Sequence, residues 1–163
     1  MKIYDNFLPN DYFNYLTSHV MNASFQQWAF NYKVSDRDEE DSMDNYYFIH
    51  RLYGENTPIS PEYNLIGGIL EQLHCQAVIR ARLLLYTNVG EFKKHGWHQD
   101  YDYNHKAALL YLNTCNGYTG FEDDVKVESV ANRMLIFDGS VPHHSTTCTD
   151  EKYRYVLSIN YFW

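Results

Sequence analysis

The chain has 163 residues, enough for one domain that buries about two-thirds of its extended surface, with little left over. Apolar residues make up 45% of it, including 16 Tyr, 9 Phe and 3 Trp, which excludes intrinsic disorder, and apolar runs such as residues 107–112 are too short to span a bilayer. A net charge of −8 with scattered Lys and Arg disfavours nucleic acid as a partner.

Residues 1–5 mix polar and apolar side chains and lack the apolar stretch of a signal peptide. Cys75, Cys115 and Cys148 are odd in number and contain no C-x-x-C pair, so neither a disulfide framework nor a cysteine zinc site is expected. A reducing cytoplasm is the expected location.

In chain order, residues 8–11 open a short helix with Asn10 as its cap and Phe13, Leu16 and Val20 on one stripe. Residues 35–44 are dense in Asp and Glu and read as an exposed loop, and residues 46–53 are aromatic and β-prone. Ser60-Pro61-Glu62 announces a second helix carrying Leu65, Ile69 and Leu73, which Gly67 and Gly68 either weaken or adapt for close packing. The hydrophobic period then changes. Residues 78–86, 107–113, 133–138 and 154–163 read as short strands, separated by turn signals such as Asn116-Gly117 and Asp138-Gly139. The expectation is one domain over residues 1–163, with a helical scaffold to about residue 76 and a β-barrel or sandwich from about 77.

The chemistry centres on His98-Gln99-Asp100. An H-x-D triplet alone means little, since about 0.6 would occur by chance in this composition. In extended chain, however, His98 and Asp100 project from one face and can reach one metal ion, with Gln99 turned away. His143 or its neighbour His144, arriving from a remote strand after the turn at residues 138–140, can supply a third ligand. Two imidazoles and one carboxylate leave open positions on an octahedral ion, the pattern of non-haem iron sites. The plainer alternative is four ordinary histidines, His95, His98, His143 and His144, at the surface or core edge.

Arg154 shares a strand face with Val156 and Ser158, while Tyr155, Leu157 and Ile159 occupy the other. A buried Arg there needs an anion, and its planar fork suits a carboxylate. Facing sheets lie about 10 Å apart, a gap that a five-carbon diacid bridges between metal and Arg154. Tyr111 is placed to share that carboxylate, and Tyr86 is a further pocket candidate; each has an alternative as a core tyrosine.

His98-x-Asp100, Tyr111-Leu112-Asn113, residues 116–121, residues 132–137, His143 and Arg154-Tyr155 occur in the order seen in Fe(II)/2-oxoglutarate-dependent dioxygenases of the prolyl 4-hydroxylase-like group, which residues 78–162 resemble. Residues 4–9 look like the small versions encoded by tailed phages. The resemblance implies a mainly β fold, a double-stranded β-helix (jelly-roll) core with about two N-terminal packing helices. It implies His98, Asp100 and His143 as iron ligands, His143 being preferred to His144 because its spacing to Arg154 matches the group. Arg154 and Tyr111 would hold the 5-carboxylate of 2-oxoglutarate, with Ser158 as helper and Tyr86 beside them. The cofactors implied are Fe(II), 2-oxoglutarate as cosubstrate and O2, and the reaction is hydroxylation with release of succinate and CO2. The substrate is unidentified, a prolyl or other protein residue or a small metabolite, and the location is the cytoplasm, that of the host for a phage protein. Asp100 favours hydroxylation over halogenation, which would need its position vacated. The chain departs from the pattern at Leu83-Leu84-Leu85, where a polar residue often stands. The residue 36–44 loop with Tyr46-Tyr47-Phe48 is either a lid selecting a basic or peptide substrate or a solvated connection. Competing readings are a cupin-like metal-binding β-helix without turnover and a non-oxidative metal enzyme.

Overall fold

The computed structural model describes residues 1–22, 27–35 and 45–163. Its frame is an antiparallel sheet of eight strands: β1 (Lys2–Tyr4), β2 (Ala29–Asn31), β3 (Tyr47–Gly54), β4 (Thr57–Pro58), β5 (Ala77–Thr87), β6 (Lys106–Tyr111), β9 (Arg133–Asp138) and β11 (Tyr153–Phe162). They run in the order β1-β9-β6-β11-β5-β3-β2, with β4 hairpinned onto β3. A second sheet, β10-β7-β8, combines β7 (Tyr118–Phe121), β8 (Lys126–Glu128) and β10 (His143–Ser145).

Alternation along the strands gives the large sheet two different faces. On β11, Tyr155, Leu157, Ile159 and Tyr161 join a core with Leu16, Val20, Ile66 and Ile69 from the helical segments. Val156, pointing the other way, joins a second core with Leu84, Tyr86, Leu109, Tyr111 and Val127, between the two sheets. The polar residues that share this inner face, Arg154, Ser158 and Asn160, are buried there.

The N-terminal segments differ from expectation in instructive ways. Helix α1 (Asn10–Val20) starts at Asn10 itself, with Pro9 in the cap position and no side-chain cap bond. Ser60 sits in the cap position of the next segment with extended backbone, but its hydroxyl pairs with Nε2 of His50 at 3.0 Å. That segment is a 3₁₀ helix (Pro61–Ile66) followed by the short α2 (Gly67–Gln72). A Cβ on Gly68 would lie 2.9 Å from the Tyr12 ring, so the glycine lets α1 approach closely. Residues 1–76 also contribute four strands to the large sheet, more β-structure than a helical scaffold implies. The acidic residues 36–44 lie outside the described residues. Among the described residues no helix is long and apolar enough to cross a membrane.

Leu157 is fully buried on the central strand. Leu157→Ala should lower unfolding free energy by about 2–5 kcal/mol, read from urea denaturation. A loss under 1 kcal/mol would mean that the helices do not seal this face.

Candidate functional site

The loop leaving β5 is clasped to the small sheet by two isolated bridges, Lys94 with Thr146 and His98 with His143. His98 and His143 exchange both backbone hydrogen bonds at 2.9 Å, an isolated antiparallel bridge outside the main ladders. Flanking bonds run from the Asp100 amide to the Gly139 carbonyl (3.1 Å) and from the His95 amide to the Ser145 carbonyl (3.0 Å). Residues opposite each other in such a pair project to the same side, so the two imidazoles meet with ring centroids 4.4 Å apart. Nδ1 of His98 pairs with the Gly96 carbonyl (3.2 Å) and Nδ1 of His143 with the Val141 carbonyl (3.0 Å). Those contacts place the ring protons on Nδ1 and leave both Nε2 lone pairs free to coordinate.

Asp100 completes the cluster. Its Oδ2 lies 4.0 Å from Nε2 of His143, and one donor atom each from His98, Asp100 and His143 fall within 4.8 Å of one another. Arg80 donates to Oδ1 at 2.6 Å and Asn160 to Oδ2 at 2.8 Å. Burial opposes ionisation of Asp100, but Arg80, then His143, Arg82 and Asn160 outweigh it and hold the carboxyl at about 2. Burial pushes the His143 imidazole down to about 4, against the pull of Asp100. A neutral imidazole beside an ionised carboxylate is the state that a divalent ion requires of its ligands.

His144 faces the opposite way. Its ring packs edge-on to Trp97 at 4.7 Å and lies over Gly120, where an added Cβ would fall 2.1 Å from Nε2. Gln99, read as turned away, donates to the Ser140 carbonyl and borders the same cavity as its neighbours.

That cavity, about 430 Å³, runs from the histidine pair to Arg154. Arg154 is 1% exposed and its guanidinium lies between the rings of Tyr86 and Tyr111, 5.4 Å from each centroid. Nε donates to the Ser129 hydroxyl (2.6 Å), Nη1 to the Thr146 carbonyl (3.3 Å) and Nη2 to the Thr119 hydroxyl (2.9 Å). Gly117 makes this seat possible, because a Cβ there would come within 2.6 Å of Arg154 Cδ. Tyr86 and Ser158 line the cavity; Tyr111 does not, since its hydroxyl donates to Thr119 at 2.9 Å. Thr119 takes its place on the wall.

Sequence reasoning passed over Arg80, Arg82, Thr119 and Asn160. Arg80 and Arg82 stand two apart in an otherwise apolar strand, the same signal that singled out Arg154, and Asn160 shares the Arg154 face. Thr119 carried no such mark. Burial and then the neighbouring Arg82 charge push the Arg80 guanidinium down.

No protein-family model matches the chain, and a search of curated proteins finds no match. Among solved structures, the chain is similar to a prolyl hydroxylase from Trichoplax adhaerens in complex with a hypoxia inducible factor oxygen degradation domain peptide fragment, at 18% identity, with 99% of this chain and 82% of that one covered and a TM-score of 0.69. A prolyl-4-hydroxylase from Pseudomonas putida matches at 18% identity over 99% of this chain and 92% of that one, with a TM-score of 0.62. A 2OG-Fe(II) oxygenase family oxidoreductase from Burkholderia pseudomallei matches at 10% identity over 83% and 72%, with a TM-score of 0.60. The fold is therefore the double-stranded β-helix shared by these oxygenases, a mainly β jelly roll.

The His143 shift has a measurable sign. The folded chain binds this proton near pH 4 and the unfolded chain near the ordinary 6.5, so between these values the unfolded state holds more protons. Stability of the metal-free protein should fall as pH drops from about 6.5 to 4, each pKa unit of separation costing about 1.4 kcal/mol. His143→Gln should flatten that limb in urea midpoints measured at pH 7.5, 6 and 5. A wild-type midpoint insensitive to pH over this window would contradict the buried neutral imidazole.

Proposed function

We propose that the protein is an Fe(II)- and 2-oxoglutarate-dependent dioxygenase that hydroxylates a substrate whose candidates are a prolyl or other residue of a protein or peptide and a small metabolite. The observation that carries this reading is the convergence of His98, Asp100 and His143 donor atoms at one end of a cavity whose other end holds a buried arginine. The residues fit the ion: both Nε2 atoms are free, and Asp100 Oδ2, although bonded to Asn160, keeps a lone pair on the His143 side. Fe(II) bound there would supply the redox centre at which O2 and 2-oxoglutarate react, giving succinate, CO2 and a hydroxylated C–H bond.

The chain's own residues supply positioning. Arg154 cannot swing, being fixed by three hydrogen bonds and two aromatic faces, so it presents its remaining N–H donors from one place. The Thr119 hydroxyl accepts from both Tyr111 and Arg154, which leaves its own proton to donate toward an anion in the cavity. In this reading Arg154 and Thr119 hold the distal carboxylate of the cosubstrate, Tyr111 orients Thr119, and Ser158 and Tyr86 shape the wall. Arg80 and Asn160 hold Asp100 so that one oxygen faces the histidines. The peptide candidate draws support from the Trichoplax neighbour, which is in complex with a peptide.

Anaerobic addition of Fe(II) and 2-oxoglutarate should produce the weak visible charge-transfer band of a chelated complex, followed in air by succinate. His98→Ala and Asp100→Ala should remove both signals. A full band in Asp100→Ala would take that residue out of the ligand set, and tight Fe(II) binding with no succinate would favour a metal-binding β-helix without turnover. Arg154→Lys, which loses the planar fork, should weaken 2-oxoglutarate binding by about 10- to 100-fold while Fe(II) affinity holds. An unchanged affinity would place the cosubstrate elsewhere.

A further inference from the structure

The inner face of β5 carries more positive charge than the proposed chemistry consumes. Arg80 and Arg82 both line the cavity, and Asp100 is the sole carboxylate among the described residues within ion-pair distance of either, 2.6 Å from Arg80 and 4.0 Å from Arg82. Nε of Arg82 is buried with no hydrogen-bond partner. Arg51 on β3 stands directly opposite Arg82 on the same face, a like-charge cross-strand pair that is unfavourable unless an anion lies between.

A charge count decides what is missing. With a dication and a dianionic cosubstrate seated, those two cancel. Among the described residues Asp100 then offsets one of Arg80, Arg82 and Arg154, so two guanidinium charges stay uncompensated in the cavity before Lys33 at its edge and the exposed Arg51 are counted. This happens inside a chain whose net charge is −8, so the arginines do not follow from overall composition. Nor are they a second grip on the distal carboxylate. Arg154 pairs in register with Tyr86, four residues along β5 from Arg82, a backbone separation of about 13 Å. Arg82 belongs to the Asp100 end of the cavity, its Nη2 lying 4.0 Å from Asp100 Oδ1.

We propose that Arg82, with Arg80 and Arg51 beside it, recognises a carboxylate on the substrate, so that the substrate is an acid attacked at a carbon close to its carboxylate. The planar guanidinium forks suit that group bidentately. The carboxylate can come from a free amino acid or from an Asp or Glu side chain in a peptide. The inference takes the location of the reacting centre from the oxygenase reading but turns on Arg82 and Arg51, which that reading leaves unused, with Arg80 shared between Asp100 and this group.

The test is calorimetric titration of the full chain, both metal-free and loaded anaerobically with Fe(II) and 2-oxoglutarate, so that binding is read without turnover. One arm uses L-glutamate, L-glutamine and L-lysine; the other uses acetylated, amidated Ala-Xaa-Pro-Ala peptides with Glu, Gln or Lys at Xaa. In at least one arm the Glu probe should bind about tenfold or more tighter than its Gln isostere, with Lys weakest. Arg82→Gln should bring the Glu/Gln ratio close to one, Arg82→Lys should retain part of it, and the arm that shows the preference identifies the source. Glu and Gln probes binding alike, no binding of either Glu probe at millimolar concentration, or a ratio untouched by Arg82→Gln would each overturn the proposal. So would an Arg82→Gln effect confined to 2-oxoglutarate affinity, which would hand this arginine to the cosubstrate. Failure of the oxygenase reading shows separately, as a missing charge-transfer band, and the metal-free titration still decides the present point.

Discussion

The two backbone hydrogen bonds between His98 and His143 are the constraint on which the site depends. They join a loop leaving β5 to a short strand of the small sheet, with a second bridge between Lys94 and Thr146 a few residues away. Once that register is set, the pleat fixes the rest: both imidazoles face inward, Asp100 follows two residues later, and His144 is forced outward against Gly120. A slip of one residue would exchange His143 for His144 and dismantle the cluster. The flanking bonds at Gly139 and Ser145 guard against that slip.

Around this clasp the electrostatics are arranged in opposition to the surface. The chain is acidic, yet the cavity wall carries Arg80, Arg82 and Arg154. Each is handled differently. Arg154 is satisfied by neutral oxygens and sandwiched between aromatic rings, so it is rigid and keeps its charge available. Arg80 is drawn to Asp100, keeping that carboxylate ionised against the opposing effect of burial. Arg82 retains a donor without a partner. Rigid anchor, ligand brace and open donor are three uses of one side chain, distinguished only by what surrounds each guanidinium.

Much of the β-structure could be read directly from the sequence because hydrophobic alternation reports local geometry. Residues 133–138 coincide with β9, and the alternation of residues 154–159 separates helix-facing from cavity-facing side chains as the structure does. The short strands β1, β2, β7 and β8 were not legible: three or four residues are too few to show a period, and long-range pairing holds them in place. Within the site, His98, Asp100 and Arg154 stood out through spacing and chemical incongruity. Tyr111 was placed on the correct strand and face, but which oxygen its hydroxyl reaches depends on β7, whose position no local pattern encodes. Arg80 and Asn160 become visible as braces for Asp100 only after β5 and β11 are paired.

The central strand β11 serves two masters. Leu157 and Ile159 are keyed into the helical side, while Val156, Ser158 and Asn160, interleaved with them, face the chemistry. Within β11 no hinge or loop insulates one set from the other, so this strand cannot loosen on its cavity side while its helical side stays in register. Melting of β11 therefore removes the Arg154 end of the pocket and the helical core together. At the arginine end rigidity cannot be traded for turnover locally: any loosening of Arg154, Val156 or Ser158 is drawn from the same strand that keeps the molecule folded.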